Sequence, residues 1–187
     1  MMLSDVDLRA ALAEGRIAIT PFSDAQLRAA GITLHLGAQL QKPRPGAVVD
    51  VRARTLPEYD AIQLNAQEGY ELEPQEFLLG HTLERITVGP SVGLLIEGRS
   101  TLARVGLTIV KTAMLVEPGH HDRTIALEIA NHGPNPIRLY PEMKIARAVV
   151  HDLKTPSSRP YDKTGGKYRD QVEDVGLPIL KNEFRNP

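Results

Sequence analysis

Residues 32–36, Ile-Thr-Leu-His-Leu, alternate apolar and polar side chains, which places Ile32, Leu34 and Leu36 on one face of an extended chain. Similar short pieces recur as far as about residue 152, separated by turn signals such as Val-Gly-Pro. No long helical period alternates with them, so an all-β barrel or jelly roll is favoured over a βαβ sheet. The other predicted strands lie near residues 48–51, 62–64, 70–72, 77–83, 92–97, 107–110, 124–130 and 144–151.

The two ends of the chain differ from this pattern. Ser4 is followed three residues later by an aspartate and Ser23 by a glutamine, a spacing typical of helix N-caps. Residues 1–31 are therefore predicted to form two short, peripheral helices. In residues 153–187 proline, serine and glycine replace the strand pattern, which indicates an extended tail. The prediction is one domain over residues 1–187, all-β with small peripheral helices.

The composition excludes several classes of protein. The absence of cysteine removes disulfides, thiolate nucleophiles and cysteine-ligated zinc, including the zinc deaminase signature. Lys and Arg number 22 against 23 Asp and Glu, and the net charge of −1 disfavours a binder of nucleic-acid polymers. No apolar run approaches the ~18 residues of a membrane span, and residues 1–16 lack the apolar core of a signal peptide. A cytoplasmic protein without membrane contact is expected.

Residues 98–107, Gly-Arg-Ser-Thr-Leu-Ala-Arg-Val-Gly-Leu, are the most unusual segment of the chain. Two arginines and two hydroxyl groups follow an apolar strand within six residues. Such a set can hold an oxyanion or a phosphate through charge-assisted hydrogen bonds, and the alternative is a solvated connection. The overlapping residues 93–100 have the spacing of a phosphate-binding P-loop, but their apolar, strand-like interior argues against one.

The predicted strand over residues 124–130, Thr-Ile-Ala-Leu-Glu-Ile-Ala, carries an acid between two alanines on one face. If that face lines a cavity, Glu128 is placed for acid–base chemistry; if it faces water, Glu128 is an ordinary surface residue. The adjacent His120 and His121 indicate a metal site only weakly, because neighbouring strand residues point to opposite faces. A turn is the preferred interpretation of that pair.

Together these segments resemble the dCTP deaminase branch of the dUTPase-like superfamily, through most of the chain. Four ordered motifs carry the resemblance, which makes it far more specific than any one of them. The first motif, Gly-Arg/Lys-Ser-Ser-Leu-Ala/Gly-Arg-x-Gly-Leu, is similar to residues 98–107, and the second, the Thr-Ala…Asp-Pro-Gly loop, is similar to Thr112-Ala113 with Glu117-Pro118-Gly119. The third, the strand with the catalytic glutamate, resembles residues 125–128. The fourth, the tail that folds over the nucleotide, resembles Pro160-Tyr161 with Lys167-Tyr168-x-x-Gln171.

The resemblance implies a dUTPase-like distorted β-barrel or jelly roll and homotrimers with active sites at subunit interfaces. It implies zinc-independent deamination of dCTP to dUTP and ammonia, which supplies dUTP for dTMP synthesis, with Mg²⁺ bound to the triphosphate. Glu128 would then move protons for a water that attacks C4 of cytosine, Ser100 would hold that water, and Arg104 would support the base site. The implied substrate-binding residues are Arg99, Thr101, Ala113, Glu117, Ala126, Tyr161, Lys167 and Gln171.

Several positions depart from the family pattern. Glu117 replaces the sugar-binding aspartate, residues 120–122 replace an aromatic-x-Gly sequence, and Thr33 and His35 replace an acid and an arginine. In dUTPases the aspartate activates the water that cleaves the phosphate chain. The alternatives are therefore a dUTP diphosphatase, a bifunctional enzyme giving dUMP, or, in another class, a non-catalytic nucleotide-binding or structural jelly-roll oligomer.

Overall fold

The computed structural model describes residues 1–165, 167, 168, 175–180 and 183. Over these residues the chain is mostly short antiparallel strands, as predicted, with two small α-helices. The strands are β1 Ile17–Thr20, β2 Leu27–Arg28, β3 Gly31–His35, β4 Gln39–Pro43, β5 Tyr59–Gln63, β6 Tyr70–Leu72, β7 Phe77–His81, β8 Arg85–Val88, β9 Val92–Gly98, β10 Leu107–Thr108, β11 Leu115–Val116, β12 Ala126–Asn131, β13 Ile137–Leu139 and β14 Lys144–Asp152; the helices are α1 Asp5–Ala13 and α2 Ser100–Ala103.

Two five-stranded sheets share one hydrophobic core. The first sheet has the order β10-β12-β7-β4-β5 and the second the order β11-β9-β14-β3-β2, while β1 pairs with β8 and β6 with β13. Leu127 and Ile129 of the first sheet and Leu34 and Leu94 of the second are each fully buried in this core. Burying a leucine or isoleucine side chain stabilises a fold by about 1.5–3 kcal/mol, so the alternating apolar positions hold the two sheets together.

The beginning of the chain differs from the prediction. Helix α1 is capped by Ser4 as expected, but Leu8 and Ala11 are fully buried, so its inner face belongs to the core. The second predicted helix is a single 3-10 turn, Asp24–Gln26, after which the chain enters β2. The capping pattern at Ser23 is present, but Leu27 and Arg28 pair with β3 instead of continuing the helix.

The structure also tests two further predictions, the rejection of a P-loop at residues 93–100 and the strand at residues 48–51. Residues 93–98 lie inside β9, so their backbone is extended and cannot form a P-loop. Residues 48–51, predicted as a strand, are exposed and belong to no strand; Asp50 forms a single β-bridge with Thr55, and its carboxylate accepts hydrogen bonds from the main-chain N–H groups of Arg52 and Ala53 in the turn that follows. None of the helices in the described part of the chain is long and apolar enough to span a lipid bilayer.

Candidate functional site

Glu128 projects from β12 on the face opposite the core, as the alternation predicts. It is half-buried, while its neighbours Leu127 and Ile129 are fully buried. Its main-chain N–H donates to the carbonyl oxygen of Ile109 over 3.0 Å, and its Oε2 accepts a hydrogen bond of 2.9 Å from the main-chain N–H of Lys111. Among the described residues Oε1 has no hydrogen-bond partner. One carboxylate oxygen is therefore fixed by the protein and the other is available to a ligand or a water.

The space around Glu128 is asymmetric. Ala126 is exposed, whereas Ala130 is buried, so the predicted room beside the carboxylate exists on the Ala126 side only. Across the sheet, Glu128 lies opposite Leu79 of β7, and Leu79 lies opposite Gln41 of β4. The outer face of the first sheet therefore offers one acid among apolar and neutral polar side chains.

The arginine-rich segment folds as a strand end, a short helix and a tight turn. Arg99 is half-buried, and Ser100, Thr101 and Arg104 are exposed on or beside α2. No side-chain hydrogen bond or ion pair joins any of these four residues to another residue in the described ranges. Two guanidinium groups are thus left without an internal counter-ion, as a binding site for an anion requires.

The turn after α2 depends on a contact between two glycines. Gly106 has a φ of +95°, and a Cβ atom placed on it would lie 2.2 Å from the main-chain nitrogen of Gly133. The carbonyl oxygen of Gly106 accepts a hydrogen bond of 2.8 Å from His132. Leu107 then begins β10, paired with Asn131 at the end of β12. This contact fixes the position of α2 relative to the strand that carries Glu128.

The segment leading to Arg99 lies beside Ile109, the residue whose carbonyl oxygen binds the Glu128 main chain. A Cβ atom on Gly98 would lie 3.7 Å from Cγ1 of Ile109, the residue that binds the Glu128 N–H. The exposed Ala113 lies next to Met114, whose carbonyl oxygen accepts a hydrogen bond from Ile96 of β9. Within the part of one chain that the structure describes, no hydrogen bond or ion pair joins Glu128 to the side chains of α2.

The loop with Glu117 is joined to the tail. Tyr161 N–H donates to the carbonyl oxygen of Pro118 over 2.7 Å, and the Tyr161 hydroxyl accepts a hydrogen bond of 2.9 Å from Tyr168 N–H. The predicted Glu117 and Tyr161 positions are therefore adjacent. Lys167 forms an ion pair with Glu183. Gln171 lies outside the described residues.

Gly119 is the position at which this loop and the tail meet. Its φ is +89°, and a Cβ atom there would lie 2.5 Å from Oδ1 of Asp162 and 2.7 Å from Tyr161 N. We expect Gly119→Ala to push the tail off the loop and to destabilise the protein by about 2–3 kcal/mol, backbone strain and clash together, which lowers Tm by roughly 4–12 °C in a chain of this size. Thermal unfolding measures the change. The control is Gly15→Ala, where φ is +70° but nothing lies within 4 Å; an equal Tm loss in both variants would contradict the steric role.

His120 closes the turn of residues 117–120, since its main-chain N–H donates to the carbonyl oxygen of Glu117 over 3.3 Å, and His121 follows the turn as an exposed residue. His120 is half-buried, and burial lowers its pKa below the usual value. Asp122 has a φ of +42°, and the hydrogen bond from Arg85 lowers its pKa. The described part of the chain contains no group of three or more histidine and acidic side chains that could hold a metal ion.

Two clefts in the described part of the chain lie away from Glu128. One, of about 210 Å³, lies between the His120 turn and the Pro160 region of the tail. The other, of about 670 Å³, lies between the β4–β5 hairpin and Val175, which is 1% exposed. Glu128 lines neither of these two clefts.

Comparison with known proteins places this arrangement in a family. Residues 2–153 match the family described as dCTP deaminase-like. The chain belongs to this family. A protein of Natronomonas pharaonis named "dCTP deaminase" is 36% identical over 179 residues, covering 92% of this chain and 91% of that protein. A protein of Halobacterium salinarum named "dCTP deaminase, dUMP-forming" is 36% identical over 178 residues, covering 91% of each.

The fold also resembles a solved structure. The crystal structure of 2′-deoxycytidine 5′-triphosphate deaminase from Agrobacterium tumefaciens aligns with a TM-score of 0.62 and 19% identity. The alignment covers 81% of this chain and 48% of that one, so this chain spans about half of its length. At this identity the likeness concerns the fold alone, and it agrees with the all-β fold of the dUTPase-like class predicted from the sequence.

Of the two departures from the family pattern in β3, His35 forms hydrogen bonds with a buried carboxylate and Thr33 forms none through its side chain within the described residues. His35, where the family has arginine, places Nδ1 2.6 Å from Oε1 of Glu84, a carboxylate that is 1% exposed. Gln26 and the main-chain N–H of His35 also donate to Glu84. Thr33 is buried, and its hydroxyl has no hydrogen-bond partner among the described residues. Glu84 and Lys111 were not singled out from the sequence, because one is an isolated acid and the other acts through its main chain.

Proposed function

We propose that the protein deaminates dCTP to dUTP and ammonia by attack of water on C4 of cytosine, without zinc, in pyrimidine deoxynucleotide metabolism in the cytoplasm. The observation that carries the proposal is the Glu128 carboxylate, held through one oxygen by a main-chain N–H and open at the other. Membership of the dCTP deaminase-like family and the names of relatives at 36% identity support the same reaction. A pure phosphate binder would gain nothing from a carboxylate close to an anionic ligand.

Glu128 acts first as a base and then as an acid in this mechanism. Its carboxylate takes one proton from the water as the water oxygen bonds to C4, and it passes that proton to the ring nitrogen N3, which takes up the electron pair of the C4=N3 bond. Glu128 then takes the proton of the new C4 hydroxyl group and delivers it to the amino group, the C4–N4 bond breaks, and ammonia leaves as the carbonyl of uracil forms. Ser100 holds the water and Arg104 supports the base. The net reaction consumes one water and releases one ammonia.

The remaining predicted residues bind the rest of the nucleotide. The free guanidinium group of Arg99 and the exposed Thr101 suit the phosphates, because charge-assisted hydrogen bonds to phosphate are strong. Mg²⁺ would come with the triphosphate and neutralise part of its charge. The other proposed contacts to the base, sugar and phosphates are made by Ala113, Glu117, Ala126, Tyr161, Lys167 and Gln171.

We further propose a homotrimer of single-domain subunits in which α2 of one subunit faces Glu128 of the next. Ser100 and Arg104 are exposed, and neither contacts Glu128 within the described part of one chain. A neighbouring subunit would bring them together and would also enclose the open face around Glu128. Within the described residues, the side chains of Arg99, Ser100 and Arg104 form no hydrogen bond or ion pair that such an arrangement would have to displace.

A bifunctional reaction that ends at dUMP is the second candidate. The Halobacterium salinarum relative, 36% identical, is named "dUMP-forming". Glu117 stands where dUTPases have the aspartate that activates the water for phosphate cleavage, and its exposed carboxylate has no side-chain hydrogen bond in the described residues. The side chain is one methylene longer, so the water would have to bind farther from the main chain.

One set of assays separates the candidates. The protein is incubated with dCTP or with dUTP in the presence of Mg²⁺, and ammonia, pyrophosphate and the nucleotide products are followed together. Ammonia without pyrophosphate from dCTP supports the deaminase, and both products with dUMP support the bifunctional enzyme. Pyrophosphate from dUTP without ammonia from dCTP indicates a diphosphatase. Nucleotide binding without either product indicates the non-catalytic protein.

A further inference from the structure

We infer that Lys111 is a positioning residue that fixes the Glu128 carboxylate, an inference that rests on the proposed function. The main-chain N–H of Lys111 donates the 2.9 Å hydrogen bond to Glu128 Oε2. A hydrogen bond to one carboxylate oxygen limits rotation of the group and directs the other oxygen outward. The position of this N–H therefore determines where Oε1 points.

The Lys111 side chain ties its own backbone to the sheet. Its Nζ lies 3.3 Å from Nε2 of His132, the residue that follows β12, and 5.9 Å from the centroid of the Phe77 ring on β7. An ammonium group within about 6 Å of an aromatic ring centroid is attracted to the face of the ring. Phe77 is also the strand partner of Ala130, two residues after Glu128. The lysine side chain thus contacts both the end of β12, the strand that carries Glu128, and the neighbouring strand β7.

This bridge matters because the backbone around Lys111 is weakly held. Strand β10 ends at Thr108, and the Glu128 N–H to Ile109 carbonyl bond is the next contact with β12. Lys111, Thr112 and Ala113 are all exposed. Without the bridge the Lys111 N–H is free to move with this segment, and a misplacement of about 1 Å at a catalytic group can lower the rate by up to ~100-fold.

Kinetics of side-chain variants test the inference. We expect Lys111→Met to lower kcat for dCTP about 10-fold with KM within ~2-fold of the wild type, because Lys111 acts on Glu128 and not on substrate binding. Lys111→Arg should restore most of kcat. His132→Ala should lower kcat as well, and the double variant should be no slower than Lys111→Met, because both residues belong to one bridge. Lys154→Met, an exposed lysine beyond β14, is the matched control and should behave as the wild type.

A second variant addresses the main-chain donor. Lys111→Pro removes the N–H, and kcat should fall further than in Lys111→Met because the carboxylate loses the hydrogen bond that orients it. Amide hydrogen exchange at residue 111 gives a readout that needs no activity and no Pro variant: exchange should be faster in Lys111→Met than in the wild type. The inference would be overturned if Lys111→Met had the same kcat as the wild type and the same rate of amide exchange at residue 111. An inactive wild-type protein whose exchange still responds would overturn only the proposed function.

Discussion

Glu128→Gln is expected to abolish ammonia release from dCTP, with a fall in kcat of at least ~10²–10⁴-fold, the usual contribution of a positioned acid–base group. Glutamine has the same shape, and its amide oxygen can still accept the hydrogen bond from the Lys111 N–H. It cannot accept a proton from water at neutral pH. Binding of dCTP should therefore stay within a few-fold of the wild type while turnover is lost.

The measurement is steady-state ammonia release together with the dissociation constant for dCTP. Glu68→Gln, a change at an exposed position in the turn before β6, is the matched control and should leave both unchanged. Unchanged turnover in Glu128→Gln would end the proposed mechanism. Loss of binding along with turnover would show that the carboxylate contributes mainly to holding the nucleotide.

Gly106→Ala is expected to destabilise the protein by at least about 3 kcal/mol, roughly 6–12 °C in Tm for a chain of this size. The new Cβ would lie 2.2 Å from Gly133 N and 2.5 Å from Gly133 Cα, and both atoms are backbone that cannot rotate away. The backbone must therefore shift, and α2 shifts with it. The soluble fraction should also lose deaminase activity, because Arg104 lies two residues before this turn.

Gly46→Ala separates the steric effect from the backbone effect. Gly46 has a φ of +103°, close to the +95° of Gly106, but nothing lies within 4 Å of its added Cβ. Its cost should be that of the backbone conformation alone, about 1–2 kcal/mol. Thermal and denaturant unfolding of the two variants give the comparison. Equal destabilisation would mean that the close approach of Gly106 to Gly133 contributes nothing.

The parts of the site that follow from a strand's period of two were predictable from the sequence. Leu127 and Ile129 in the core and Glu128 on the outer face are fixed by the pleat, since a shift of one residue would bury the acid and expose both apolar neighbours. The all-β fold followed for the same reason, from many short alternating pieces. The four motifs also predicted membership of the dCTP deaminase-like family, and the match over residues 2–153 confirms that membership.

The remaining features depend on contacts between distant segments. The hydrogen bond from Lys111 to Glu128 uses a main-chain N–H, which every residue except proline has, so no side-chain pattern could indicate it. Ser23 caps only one 3-10 turn, because the next residues are taken up by pairing in the second sheet. Ala130 is buried although Ala126 is exposed, because β10 covers only one end of β12. The site residues on α2 and in the tail stay predictions.

Arg99 and Arg104, which form no ion pair within the described residues, affect how a nucleotide reaches the protein as well as how it is held. The whole chain is almost neutral, with a net charge of −1, so we expect local charges such as these two guanidinium groups, and not the net charge, to attract a triphosphate. At physiological ionic strength such attraction is screened beyond about 8 Å. The association rate of dCTP should accordingly fall as sodium chloride is added, and at low salt diffusing triphosphates are steered to α2 before any of them meets Glu128.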